Sequence, residues 1–156
     1  MTTIASRMFP RLRPICDVHR GLIRDLKSAI REGKISNSPT SGIGFESKLS
    51  NRLVCLELQN EKRKNSITAK MMLDLTYIVD QLYFDHSYDS TLGLILASTG
   101  THFSAGLDLN LLKTFFNTPS RGAAMYDLMS DCLDRKSLKP TLTIIHISLF
   151  YLKTHI

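Results

Sequence analysis

The stretch best suited to chemistry runs from Gly93 to Asn110, Gly-Leu-Ile-Leu-Ala-Ser-Thr-Gly-Thr-His-Phe-Ser-Ala-Gly-Leu-Asp-Leu-Asn. An apolar run gives way to a glycine-containing turn. Ser104, Ala105 and Gly106 then precede a helical pattern. Small residues let a ligand approach the backbone closely. Free N–H groups at a helix start favour negative charge. Such a site suits a phosphate, a carboxylate or the oxyanion of a reacting thioester.

Competing chemistries fit less well. His102-Phe-Ser-Ala-Gly106 has His where a nucleophile elbow needs Gly, and a turn separates its Ser from the preceding apolar run. His102 therefore reads as a loop residue. Gly42-Ile-Gly44 lacks the third glycine of a dinucleotide fingerprint and reads as linker. There is no P-loop lysine motif. His, Cys and acids nowhere cluster at metal-ligand spacing, so no metal is expected.

Several elements must position the segment. Leu53 to Leu58 is a strand candidate, and Gln59 to Asn65 a polar, highly charged loop. A helix follows, capped by Ser66 or Thr68. Its core stripe is Met71, Met72, Leu75, Ile78, Val79 and Leu82. Leu92 to Ala97 fits a strand buried on both faces, so strand, helix and strand form a parallel crossover. A short helix through Leu109, Leu111, Leu112 and Phe115 is expected after Gly106. Another begins at Thr118-Pro119, with Thr as cap and Pro in the first turn. Leu142 to Leu152 reads as a strand. Ahead of all these, residues 21–33 form a short amphipathic helix stopped by Gly33, and residues 36–44 a loop.

Four pieces, in order, resemble the enoyl-CoA hydratase/isomerase (crotonase) superfamily. Phe103-Ser-Ala-Gly-Leu-Asp-Leu109 is similar to its F-x-[AS]-G-x-D-[LI] signature. Asn60-Glu-Lys-Arg-Lys-Asn-Ser66, with the helix at Met71 to Leu75, resembles its N-x-x-x-x-N-[AS] loop and M-x-x-x-L helix. The strand ending at Ala97 and Lys139-Pro140 fall where the family has a strand and a K-P pair. The match covers about residues 50–146. Met71-Met-Leu73, Asp108-Leu-Asn110 with Lys113, Thr118-Pro119 and Gly122 most resemble the ethylmalonyl-CoA decarboxylase branch.

The resemblance implies an α/β, crotonase-like (ClpP/crotonase) fold of β-β-α units, incomplete at the C-terminus. It implies a basic leader at 1–45, the N-terminal half of the domain at 46–146 and a non-family tail at 147–156. It further implies an oxyanion hole for an acyl-CoA thioester, one arm being the N–H of Leu107, after the signature Gly106. Lys64, Ser66, Ser104, Ala105 and Asp108 are the expected substrate contacts. Two alternatives stay open: Asp108 either caps a helix or orients substrate, and Lys62-Arg-Lys64 is either a solvated loop or a contact for CoA phosphates. The implied reaction is decarboxylation of ethylmalonyl-CoA or methylmalonyl-CoA, with hydration or isomerisation of an enoyl-CoA as the alternative. No cofactor is expected beyond the coenzyme A of the substrate. Complete members are expected to assemble as trimers or hexamers.

One departure bears on activity. The family's second donor lies in a glycine-rich loop after the strand that follows K-P, yet no glycine follows Gly122 here. The expectation is a truncated isoform of little or no activity, acting if at all with a complete relative.

Charge and cysteines limit the remaining classes. Of the net +6, most sits in residues 1–35, where eight Lys or Arg meet three acids; the remainder holds twelve against eleven. Aromatics do not alternate with these basic residues, so no nucleic-acid partner is expected. No apolar run is long enough to span a bilayer. Cys16, Cys55 and Cys132 form no disulfide framework, and the last two read as buried small hydrophobes. A reducing compartment follows, the cytosol, with Arg7, Arg11 and Arg13 leaving a mitochondrial leader as the alternative.

Overall fold

The computed structural model describes residues 13–35, 42–46, 53–84, 93–134 and 143–146. In chain order these form α1 (Ile15–Val18), α2 (Arg20–Arg31), β1 (Gly42–Glu46), β2 (Leu53–Gln59), α3 (Ala69–Phe84), β3 (Gly93–Ser98), α4 (Leu109–Thr114), α5 (Pro119–Asp134) and β4 (Thr143–His146). A single 3₁₀ turn, Glu61–Arg63, follows β2.

The sheet order is β1-β2-β3-β4. β1 runs antiparallel to β2, and β2, β3 and β4 are mutually parallel. The parallel pair joined through α3 is the crossover read from the sequence. β2 alternates, burying Val54, Leu56 and Leu58. Val54 and Leu56 meet Leu94 of β3 and, from α3, Leu75, Ile78 and Leu82. Thr68 Oγ1 accepts from Met71 N–H at 3.3 Å, so Thr68 is the helix cap. The Ser66 hydroxyl is engaged elsewhere, accepting from Asn60 Nδ2 at 3.4 Å.

A second apolar cluster lies among the helices. Ile15, Leu26, Ala29 and Ile35 pack there with Ala69, Met72, Leu111, Phe115, Phe116, Leu128 and Cys132. Residues 15–35, which the sequence suggests as part of a leader, thus share a core with the residues after β2. The buried Asp80 fastens them, accepting Ile15 N–H at 2.7 Å and Cys16 N–H at 3.0 Å. It satisfies two orphan donors at the start of α1. Gly33, at φ +69°, ends the α2 region. Lys34 N–H donates to Ala29 C=O and Gly33 N–H to Ile30 C=O, the paired bonds of a Schellman stop.

Two expectations need correction. Residues 42–44 are not loop: they belong to β1, because the free edge of β2 supplies five paired positions that a Gly-rich segment does not advertise. Cys55 is half-buried rather than buried, since it alternates with Val54 and Leu56 onto the other face of β2. Of the strand expected at 142–152, residues 143–146 are seen as β4, and residues 147–152 lie outside the described residues. Among the described residues no helix is long and apolar enough to cross a membrane.

Candidate functional site

Because β2 and β3 are parallel neighbours, with Leu58 opposite Ser98, the loops that leave them emerge on one edge of the sheet. In open α/β sheets the crevice at the carboxyl ends of the strands is where ligands bind. Here those loops are residues 60–67 and 99–108.

Two asparagines five residues apart shape the first loop. Asn60 N–H donates to Asn65 Oδ1, Asn65 N–H donates to Asn60 C=O, and Asn60 Nδ2 donates to Ser66 C=O at 2.7 Å. Lys64 and Asn65 both adopt left-handed backbone, with φ of 52° and 53°. Asn tolerates this conformation; for Lys64 it costs on the order of 1 kcal/mol. The fully buried Asn65 then ties the loops together, its Nδ2 donating to Thr99 C=O at 2.6 Å and His102 C=O at 2.8 Å.

From there the loops run side by side, joined mainly through backbone amides. Ala105 N–H donates to Lys64 C=O, Gly106 N–H to Ser104 Oγ, and Asp108 N–H to Ile67 C=O. Ile67 N–H donates to Gly106 C=O at 2.8 Å, completing a parallel bridge between Ile67 and Leu107. In a parallel bridge the bonds run to the residues flanking the bridged one, so Leu107's own N–H points away from Ile67. Among the described residues it donates to no protein acceptor. Leu107's side chain packs toward the helical core.

Beside Leu107 lies a cavity of about 450 Å³, lined also by Arg63, Ser66, Ala105, Asp108, Leu109 and Asn110. Gly106, directly before Leu107, has φ +86°, and a Cβ there would meet nothing within 4 Å. The glycine is needed for its conformation, and the open space leaves room for a ligand beside the backbone.

The expected contacts divide into two groups. Leu107, Ala105, Ser66 and Asp108 line the cavity, and Gly106 lies in the same loop between Ala105 and Leu107. Ser104 does not offer a free hydroxyl: it donates to Asn65 C=O at 2.8 Å and accepts from Gly106 N–H. The Lys64 side chain is exposed, and its carbonyl is used by Ala105. Asp108 caps α4, Oδ1 accepting Asn110 N–H at 3.0 Å and Leu111 N–H at 3.1 Å. Its Oδ2 accepts Arg63 Nη1 at 2.9 Å. That cap corrects the expectation of ligand-seeking amides at the helix start. Two of those donors, Asn110 and Leu111 N–H, are taken, and Leu107 N–H lies one residue ahead of the cap.

The asparagine pair was not among the expected contacts, and Arg63 was expected only within the Lys62-Arg-Lys64 loop, as solvated or facing CoA phosphates, not as the partner of Asp108. The spacing of Asn60 and Asn65 was the available signal for the pair. Arg63 gave none, because its partner lies 45 residues away. His102 sits exposed in its loop, with Nδ1 beside Thr101 Oγ1.

Comparison with known proteins adds three findings. Ethylmalonyl-CoA decarboxylase of Xenopus tropicalis is 30% identical over 105 residues, 67% of this chain and 34% of that protein. Its namesake in Gallus gallus is 32% identical over 129 residues, 82% of this chain and 39% of that one. The crystal structure of enoyl-CoA hydratase from Bacillus anthracis superimposes with a TM-score of 0.55 at 19% identity, over 67% of this chain and 38% of that one. The chain thus spans little more than a third of the length of the curated relatives it matches. No family model matches it.

Proposed function

We propose, from the premise that this chain carries the crotonase fold and is a relative of the ethylmalonyl-CoA decarboxylases, that it grips the carbonyl oxygen of an acyl-CoA thioester with the Leu107 amide. The observation that carries this reading is the Leu107 N–H beside a cavity, with no acceptor among the described residues, while the amides of Ala105, Gly106 and Asp108 around it are bonded. A donor aimed at developing negative charge stabilises the transition state without having to reorganise.

The finer reading is decarboxylation of ethylmalonyl-CoA or methylmalonyl-CoA, supported by the two curated relatives. The bond between the α-carbon and the carboxylate breaks, and CO₂ leaves. The electron pair passes into the thioester, giving an enolate whose oxygen is held by Leu107 N–H. A proton then adds at the α-carbon. This chemistry needs no base to start it, which suits a cavity wall whose carboxylate, Asp108, is committed through both oxygens. Coenzyme A enters as part of the substrate.

A single donor of such a pair is worth about 10²–10³ in rate. The 156-residue polypeptide, with one such arm described, is expected to bind CoA thioesters and to release CO₂ roughly that factor more slowly than a two-donor enzyme. Calorimetric titration with ethylmalonyl-CoA, beside labelled-CO₂ release, tests this. Affinity for the thioester no greater than for free coenzyme A would remove its basis.

A further inference from the structure

The Leu107 amide is useful only if it is held still, and the bridge that orients it consists of two hydrogen bonds at the meeting of two loops. One side-chain ion pair spans those loops at that point. Arg63, in the 3₁₀ turn after β2, donates through Nη1 to Asp108 Oδ2 at 2.9 Å. Asp108 directly follows Leu107, and its N–H makes one of the two bridge bonds. The same carboxylate caps α4 through Oδ1. One side chain thereby fixes the residue after the donor to the helix ahead and to the facing loop.

We propose that Arg63 is a positioning residue, which through its ion pair with Asp108 holds the Ile67–Leu107 bridge closed and keeps the Leu107 N–H turned to the cavity. The side chains of the pair are 44% and 11% exposed, so solvent reaches the guanidinium but hardly the carboxylate. Both residues line the cavity. The function of the pair rests on the reading of Leu107 as a thioester donor; its effect on the bridge does not, which makes the two separable.

The test uses the full chain and three variants. Arg63→Met keeps much of the length of the side chain and removes the pair. Asp108→Asn keeps an oxygen able to cap α4 while removing the charge that Arg63 meets. Arg63→Lys restores the charge without the planar fork. Amide hydrogen exchange of Ile67 and Asp108, the two bridge donors, is followed beside that of β2 and β3. The pair predicts exchange about tenfold faster at Ile67 and Asp108 in Arg63→Met and in Asp108→Asn, the size of a charge-assisted hydrogen bond. Exchange in β2 and β3 stays unchanged, and Arg63→Lys recovers part of the protection. Unchanged exchange at both bridge amides in Arg63→Met, or equal acceleration throughout the sheet, overturns the proposal.

A second readout follows the donor itself. A chromophoric cinnamoyl-type CoA thioester absorbs at longer wavelength when its carbonyl is polarised. A red shift with the unsubstituted protein that shrinks in Arg63→Met is the expected result. If the unsubstituted protein gives no shift while the exchange effects hold, the thioester reading fails and the positioning of the bridge stands.

Discussion

Replacing Gly106 with alanine isolates the backbone geometry on which the site depends. The residue sits at φ +86°, where an L side chain is strained, yet a Cβ there meets nothing within 4 Å. Packing therefore contributes nothing to the cost, and the strain alone is about 1–2 kcal/mol. In a chain of this size each kcal/mol moves the unfolding midpoint by roughly 2–4 °C, so Gly106→Ala should lower it by roughly 2–8 °C. Gly122 provides an internal control. It lies within α5, also with nothing within 4 Å of an added Cβ, and without a positive φ. Gly122→Ala should stabilise by about 0.5–1 kcal/mol, because a helix interior favours alanine. Thermal unfolding of both variants, followed by circular dichroism, reads the opposite signs. Should the two midpoints move in the same direction, the conformational account of Gly106 is wrong. If the alanine of the Gly106→Ala variant relaxes to a negative φ, Leu107 turns with it, and thioester affinity should fall by more than the stability change explains.

Three further outcomes are expected. Asn65→Ala should destabilise by about 3 kcal/mol or more, since it leaves Asn60 N–H and Thr99 C=O without their buried partner and His102 C=O with only the Ser98 hydroxyl; denaturant unfolding measures it, and a loss below about 1 kcal/mol would contradict the network. Asp80→Ala should unfasten α1 from α3 at a cost of about 0.5–2 kcal/mol, like other lost helix caps, with amides near Ile15 exchanging sooner than those of the sheet; a uniform response along the chain would argue against it. The Cys16 thiol is pushed up from its ordinary value, first by burial and then by Asp80, so peptide mapping after iodoacetamide treatment should show it alkylating only at higher pH than an unperturbed cysteine. Because the folded value is the raised one, any stability it lends is present below the ordinary thiol range and lost as pH rises through the raised value. Fast alkylation of Cys16 near neutral pH would contradict this.

Periodicity made the central elements legible. The alternation of Leu53 to Leu58, the stripe of α3 and the apolar run into Ala97 predict β2, α3 and β3 and their parallel crossover. Gly106 and Asp108 were legible for the same kind of reason, since a small residue before a capping acid marks a turn into a helix. β1 was not, because Gly42 and Gly44 have no strand preference of their own and pair only where β2 presents a partner. The packing of residues 15–35 was hidden similarly: a basic amphipathic helix looks the same whether it stands alone or follows a short helix, α1, that Asp80 caps from afar. At the site, spacing within a segment revealed the donor loop. The committed hydroxyl of Ser104 and the pairing of Arg63 with Asp108 depend on contacts 39 and 45 residues apart, which no local pattern records.

The proposed grip on the thioester depends on one N–H group, and its resonance can be watched directly. In a ¹⁵N-labelled sample titrated with an acyl-CoA thioester and, separately, with free coenzyme A, the Leu107 amide should exchange rapidly before ligand is added. It should then shift downfield and become protected with the thioester alone. An amide already protected in the free protein, or one that responds equally to both ligands, would contradict the account.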